Sequence, residues 1–143
     1  MRAAAILLAT AMMPLSALGT ETALTVSDAW MRVIVPSRPA AGYFTVTNGS
    51  DAAIDLTAAA SPGCASLMLH RSTEENGIGK MMMVAKVPVP AKGRVAFEPG
   101  GYHLMCMSPS AQMTPGAMVP VTLTFSNGEN LTAEFAVKGA TGE

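Results

Sequence analysis

The segment Gly101-Tyr102-His103-Leu104-Met105-Cys106-Met107 places one of the chain's two histidines among two methionines and one of its two cysteines. Imidazole, thioether and thiol are borderline to soft donors, so their company invites a metal reading. Side chains alternate across a strand, which sets His103, Met105 and Met107 on one face and turns Leu104 and Cys106 towards a core. His103 and Met105 then have Cα atoms about 6.5 Å apart, and a flexible thioether arm can swing back to share an ion with the imidazole. On this reading Cys106 is not a ligand beside them.

The second histidine lies in Met68-Leu69-His70-Arg71-Ser72, followed by Glu74-Glu75-Asn76-Gly77 and then Met81-Met82-Met83. This order predicts a hairpin, with Glu74 and Glu75 in a solvated loop. A four-residue loop over 74–77 sets His70 opposite Met81 and Met68 opposite Met83. A two-residue Asn76-Gly77 turn sets Met83 opposite His70, with Met81 diagonal on the same face. Either register pairs a histidine with a methionine. Two His/Met pairs without a carboxylate cluster select Cu(I) over zinc, magnesium or calcium. Thioethers are neutral and bind without losing a proton, which suits a compartment where thiols oxidise.

Something must hold these donors together. The N-terminal MRAAAILLATAMMPLSALG has one arginine, an apolar run interrupted by Pro14, and small residues at Ala17 and Gly19. That is the pattern of a secretory signal peptide over residues 1–19, leaving 20–143 as one domain. Nine basic and ten acidic residues, with no basic run and little aromatic content, argue against nucleic acid as a partner. After residue 19 the longest apolar stretches are strand-sized, so no membrane span is expected.

Turn signals recur at Pro36-Ser37-Arg38-Pro39, Asn48-Gly49, Ser61-Pro62-Gly63, Asn76-Gly77, Pro90-Ala91-Lys92-Gly93, Pro99-Gly100-Gly101, Pro115-Gly116 and Asn127-Gly128. Between them lie runs rich in Val, Thr, Phe and Tyr at 41–47, 82–89, 94–97, 119–125 and 131–137. This is the rhythm of short antiparallel strands, and no helical period competes with it. An all-β Greek-key sandwich or barrel follows.

With these residues in place, the chain resembles the PCu(A)C family of periplasmic copper chaperones, whose motif is His, ten residues, Met, twenty-one residues, His-x-Met. His70, Met81, His103 and Met105 reproduce that spacing. The flanks Asp28-Ala29-Trp30-Met31-Arg32, Ala41-Gly42-Tyr43-Phe44 with Asn48, Ser61-Pro62 and Pro99-Gly100-Gly101-Tyr102-His103-Leu104-Met105 agree as well. The resemblance implies a cupredoxin-like fold, one Cu(I) as cargo, and a periplasmic, monomeric carrier. It also implies delivery to an apo copper protein, the CuA centre of cytochrome c oxidase or an assembly factor. Relative to the family, the neighbourhood before Met81 lacks an extra methionine, while Met82 and Met83 follow it, which leaves Met83 open as an auxiliary ligand.

The remaining expectations are structural. Met31, Met68, Met82, Met113 and Met118 read as core fillers, and Trp30 and Arg32 as a core tryptophan and a salt-bridged arginine, with shielding of a partner site as their other reading. Cys64 enters the strand of His70 and Cys106 points inward, so a disulfide could staple the two half-site strands, with two separate buried thiols as the other outcome. The main competing function is an electron-transfer cupredoxin, which needs a cysteine thiolate with two histidines and a weak methionine. Cys106 sits on the wrong face for that site. A non-metal adhesion sandwich is the next class, and an enzyme the last, because no acid/base or nucleophile set can be assembled from these residues.

Overall fold

A computed structural model describes residues 23–143, and the signal-peptide reading of 1–19 lies outside them. Ten strands follow in order: β1 (Leu24–Arg32), β2 (Ala40–Asn48), β3 (Ile54–Ala60), β4 (Cys64–Glu75), β5 (Ile78–Met83), β6 (Val87–Val89), β7 (Gly93–Phe97), β8 (Tyr102–Pro109), β9 (Met118–Phe125) and β10 (Asn130–Lys138). The expected run at 82–89 is divided, because the chain leaves β4 after Met83 and rejoins β3 as β6.

Strands β4-β8-β2-β1-β10-β9-β3 form a path that closes where Ala59 of β3 meets Leu67 of β4. The closed form of the two architectures left open by the sequence is therefore the one adopted, and closure removes the sheet edges that an open sandwich would expose. Strands β5, β6 and β7 attach to β4, β3 and β2. Of the described ladders only β1 with β10 is parallel.

Alternation fills the barrel. Val119, Val121, Leu123 and Phe125 of β9 are buried, as are Phe135 and Val137 of β10. Phe44 stacks on Phe97 at 4.4 Å and tilts against Phe135 at 5.6 Å. Asn48 is fully buried yet satisfied: its Nδ2 donates to the carbonyls of Ala52 and Val89, and its Oδ1 accepts from Ser50. Gly42 has a steric reason, since a Cβ there would lie 2.8 Å from the Met31 sulfur and 3.1 Å from the Leu104 Cβ. Only glycine lets β1, β2 and β8 approach this closely at the wall behind the His103 strand.

A bulge in β1 changes which residues face outward. The β1–β2 register shifts between Ser27 and Trp30, where Asp28 takes φ 53°. Before the bulge Leu24 is the buried residue, and after it Met31 and Val33 are. The inward set passes from even to odd positions, so Trp30 and Arg32 turn outward. This corrects the expected core tryptophan. Trp30 is half-buried against Tyr43 at 4.9 Å, and Arg32 has no ion pair among the described residues, its guanidinium lying 5.4 Å from both ring centroids.

The methionines divide likewise. Met31 and Met113 are core residues and Met68 is half-buried, whereas Met82 and Met118 are exposed, against expectation. Met82 lies on β5, a strand with every residue exposed, and Met118 precedes the first buried residue of β9. Cys64 and Cys106 form a disulfide with a Cα–Cα distance of 5.4 Å, so the bond left open by the sequence is present. It ties β4 to β8, the strands of His70 and His103.

Candidate metal centre

The β4–β5 hairpin turns on Asn76 and Gly77, with φ 53° and 76°, as a two-residue type I′ turn requires. That chooses between the two registers. Met83 stands opposite His70, and Met81 stands opposite Ser72, diagonal to the histidine. On the other edge of β4, His70 pairs with His103, Met68 with Met105 and Ser66 with Met107. The outer face of β5-β4-β8 therefore carries both histidines and the methionines 68, 81, 83, 105 and 107. The imidazole centroids are 5.6 Å apart with planes inclined at 60°.

The site grades from buried to open. His103 is 4% exposed, His70 and Met105 are half-buried, and Met81 is 65% exposed on the β5 arm. One imidazole thus sits beneath the surface while a thioether stands in solvent. His103 Nδ1 lies 3.3 Å from the Gly101 carbonyl. A proton placed on Nδ1 donates to that oxygen and leaves the Nε2 lone pair free, the orientation that a backbone carbonyl commonly gives a metal-binding histidine. His103 Nε2 is buried without a hydrogen-bond partner, and so is His70 Nδ1. Buried ring nitrogens are ordinarily satisfied, so two orphans on adjacent histidines are a feature to explain.

Burial of the His70 ring, and secondarily the neighbouring His103, hold its pKa below the ordinary 6.5. The imidazole thus stays neutral, with its lone pair available, at a pH where a free histidine is partly protonated. No group of three or more His, Cys, Asp or Glu among the described residues could hold a metal. Any ion at this face would rely on imidazole and thioether, which favours a soft cation. Both cysteines are in the disulfide, so neither offers a thiolate.

A cleft of about 390 Å³ opens beside the donors, lined by Met81, His103 and Met105 together with Arg32, Arg38 and Tyr43. His70 does not line it and lies behind, next to His103 in the register. Sequence reasoning missed Arg38 and Tyr43, and offered Arg32 at a partner site only as the lesser of two readings. The only available signal was that Arg32 and Tyr43 sit in the motif flanks, and it did not say which way either points.

A family model described as putative lipoprotein LpqE-like matches residues 24–137. The putative lipoprotein Lxx21020 of Leifsonia xyli subsp. xyli (strain CTCB07) is 34% identical over 119 residues, which cover 82% of this chain and 70% of that protein. The solution structure of CuI-DR1885 from Deinococcus radiodurans is 34% identical with a TM-score of 0.64, covering 79% of this chain and 76% of that one. The copper-bound PCuAC domain from PmoF2 has a TM-score of 0.69 over 82% of this chain and 94% of that one; at 22% identity it speaks to the fold alone. The family-model match over most of the chain, with relatives of this identity and an all-β fold shared with PCuAC domains, shows that the chain belongs to the LpqE-like, PCuAC-related family.

Proposed function

We propose that the protein is an exported copper chaperone that holds one Cu(I) with His70, Met81, His103 and Met105 and passes it to another copper protein. The observation that carries this reading is the pair of buried, unpartnered ring nitrogens on facing histidines, with thioethers on the same face. Each orphan nitrogen would gain in the metal the partner that the protein withholds. The set is two neutral imidazoles and two neutral thioethers, which suit a monovalent soft ion. The related DR1885 was solved in its CuI form, and the relative named a lipoprotein fits an exported setting, with the periplasm as the compartment.

Carriage, not catalysis, follows from the same face. His103 and Met105 belong to the closed barrel wall, while Met81 stands on an exposed arm at its edge. An incoming donor would displace Met81 first, so the ion leaves by ligand exchange without unfolding the barrel. The acceptor on this reading is an apo copper protein, the CuA subunit of cytochrome c oxidase or a factor that assembles it. The electron-transfer alternative requires a cysteine thiolate, and the disulfide takes both sulfurs.

The test is anaerobic Cu(I) loading of the mature domain. One copper per chain is expected, with nitrogen and thioether sulfur in the X-ray absorption spectrum. Thiolate coordination, or displacement by equimolar zinc, overturns the reading.

A further inference from the structure

The donors occupy one side of the cleft, and its other side has no role in holding the ion. Arg32, Ala41, Met105 and Met68 form one cross-strand row over β1, β2, β8 and β4. Arg32 and Met105 therefore stand two strand spacings apart, about 10 Å between Cα atoms, with only the methyl group of Ala41 between them. The gap so left is the cleft. At about 390 Å³ it far exceeds what one ion needs and is the size that takes a side chain from outside.

Its charge is one-sided. Arg32 and Arg38 both line it, no acidic residue does, and neither arginine forms an ion pair among the described residues. Arg32 Nε is buried with no hydrogen-bond partner, a donor left unsatisfied at the cleft wall. Trp30 and Tyr43 hold the guanidinium in place. Around the mouth, Ile34 and Met81 are exposed at 61% and 65%. Exposed apolar side chains beside arginines free of ion pairs are the composition of a protein docking surface.

We infer that this cleft is where the copper acceptor docks, and that the acceptor enters it with an anionic sulfur donor, a cysteine thiolate, steered and held by Arg32 and Arg38. The inference rests on the copper reading above. A carboxylate would satisfy the arginines but is too hard to draw Cu(I) from a thioether, whereas a thiolate answers both demands. Arginine cations also favour the ionised thiol. In the exchange the acceptor thiol releases its proton to water, a sulfur–copper bond forms, and the copper bond to Met81 breaks. Copper remains Cu(I) and no electron moves.

The test uses Cys-Ala-Ala-Cys peptides flanked by glutamates or by lysines, and a glutamate-flanked Ser-Ala-Ala-Ser control. Stopped-flow measures Cu(I) transfer from the loaded parent and from Arg32→Gln, Arg38→Gln and Arg94→Gln, the last on β7 outside the cleft. A chromophoric chelator measures Cu(I) affinity in each. The parent is expected to favour the acidic dithiol over the basic one roughly tenfold at low salt. Arg32→Gln and Arg38→Gln should abolish most of that preference at unchanged Cu(I) affinity, Arg94→Gln should keep it, and the serine peptide should take no copper. Should Arg32→Gln lose its circular dichroism spectrum, Arg38→Gln carries the comparison. Equal parental rates, retention of the preference in Arg38→Gln, an equal loss in Arg94→Gln, or copper uptake by the serine peptide overturns the inference while leaving the copper site standing. A parent that binds no Cu(I) overturns both.

Discussion

Replacing Met81 by alanine separates binding from folding. Met81 is 65% exposed, so only about a third of the 1.5–3 kcal/mol available from burying such a side chain is at stake, or ~0.5–1 kcal/mol of stability. Its strand keeps its backbone ladder to β4, which the substitution does not touch. The copper term is larger. Mutating groups that merely orient metal ligands typically costs 10–100-fold in affinity, so losing a ligand should cost at least about tenfold, or ~1.4 kcal/mol. Met31→Ala should behave in the opposite way. That side chain is fully buried in the core and its loss should destabilise by about 2–5 kcal/mol, with little change in the affinity of the folded protein. Chelator competition under anaerobic conditions gives the affinities, and thermal unfolding of the apo proteins gives the stabilities. If Met81→Ala and Met105→Ala both bound Cu(I) as tightly as the parent, the proposed ligand set would be wrong whatever the fold.

The lowered pKa of His70 makes the apo protein pH-sensitive: above 6.5 both folded and unfolded chains hold this ring neutral, and below it the unfolded chain takes the proton first. Stability should therefore fall as pH drops below that value, and His70→Gln should flatten this part of the Tm-against-pH curve; a parallel curve contradicts the assignment. Cu(I) affinity should decline over the same acidic range, since protons compete for the imidazoles. The disulfide joins residues 42 apart, a loop whose closure contributes about 4 kcal/mol, so the Cys64→Ser/Cys106→Ser double variant should melt much lower yet still bind one Cu(I) while folded. Gly42→Ala should destabilise by about 1–3 kcal/mol, because the new methyl meets Met31 and Leu104, and a neutral result in chemical denaturation would mean the wall yields more than its packing implies. Hydrogen peroxide should oxidise exposed Met81 to the sulfoxide and weaken binding at least about as much as Met81→Ala does, with sulfoxide reductase restoring it; peptide mass mapping follows the modification.

What the sequence made legible was periodic and local. Alternation around His103 assigned Leu104 and Cys106 to the core, and the turn signals marked the strand ends well enough to imply an all-β domain. The spacing of His70, Met81, His103 and Met105 named the donors worth following. Both hairpin registers are consistent with it, because choosing between them depends on whether two or four residues make the turn at Asn76-Gly77. Two features lie out of reach for a clearer reason. A one-residue bulge near Asp28 reverses the parity of everything after it in β1, and nothing in Asp28-Ala29-Trp30-Met31-Arg32 announces the reversal. From sequence, Trp30 therefore reads as inward and Arg32 as salt-bridged in preference to a partner-site shield, and Arg38 stays hidden. Likewise the disulfide depends on a distance between strands 42 residues apart, which only the closed barrel supplies.

The same bulge links the fold to the proposed exchange. Without it, the residues after Asp28 would keep the earlier parity, Arg32 would face the core, and Met31 would point outward beside Ala41. A buried, unpaired guanidinium is costly enough that the barrel could hardly tolerate it. With the bulge, Met31 closes the core beneath Gly42, and Arg32 reaches the outer face in the row that contains Met105. One local irregularity thus satisfies the core and equips the cleft. Bulges next to functional sites commonly re-aim a side chain in this way. On the proposed reading the labour divides: β4 and β8, tied by the disulfide, would fix the two imidazole ligands, the exposed β5 arm would offer the thioether that leaves, and β1 would supply the charge that draws a thiolate in. An ion held between a rigid wall and a displaceable arm is released by replacing one ligand at a time, so on this reading transfer depends on the chemistry of the incoming group and not on opening the barrel.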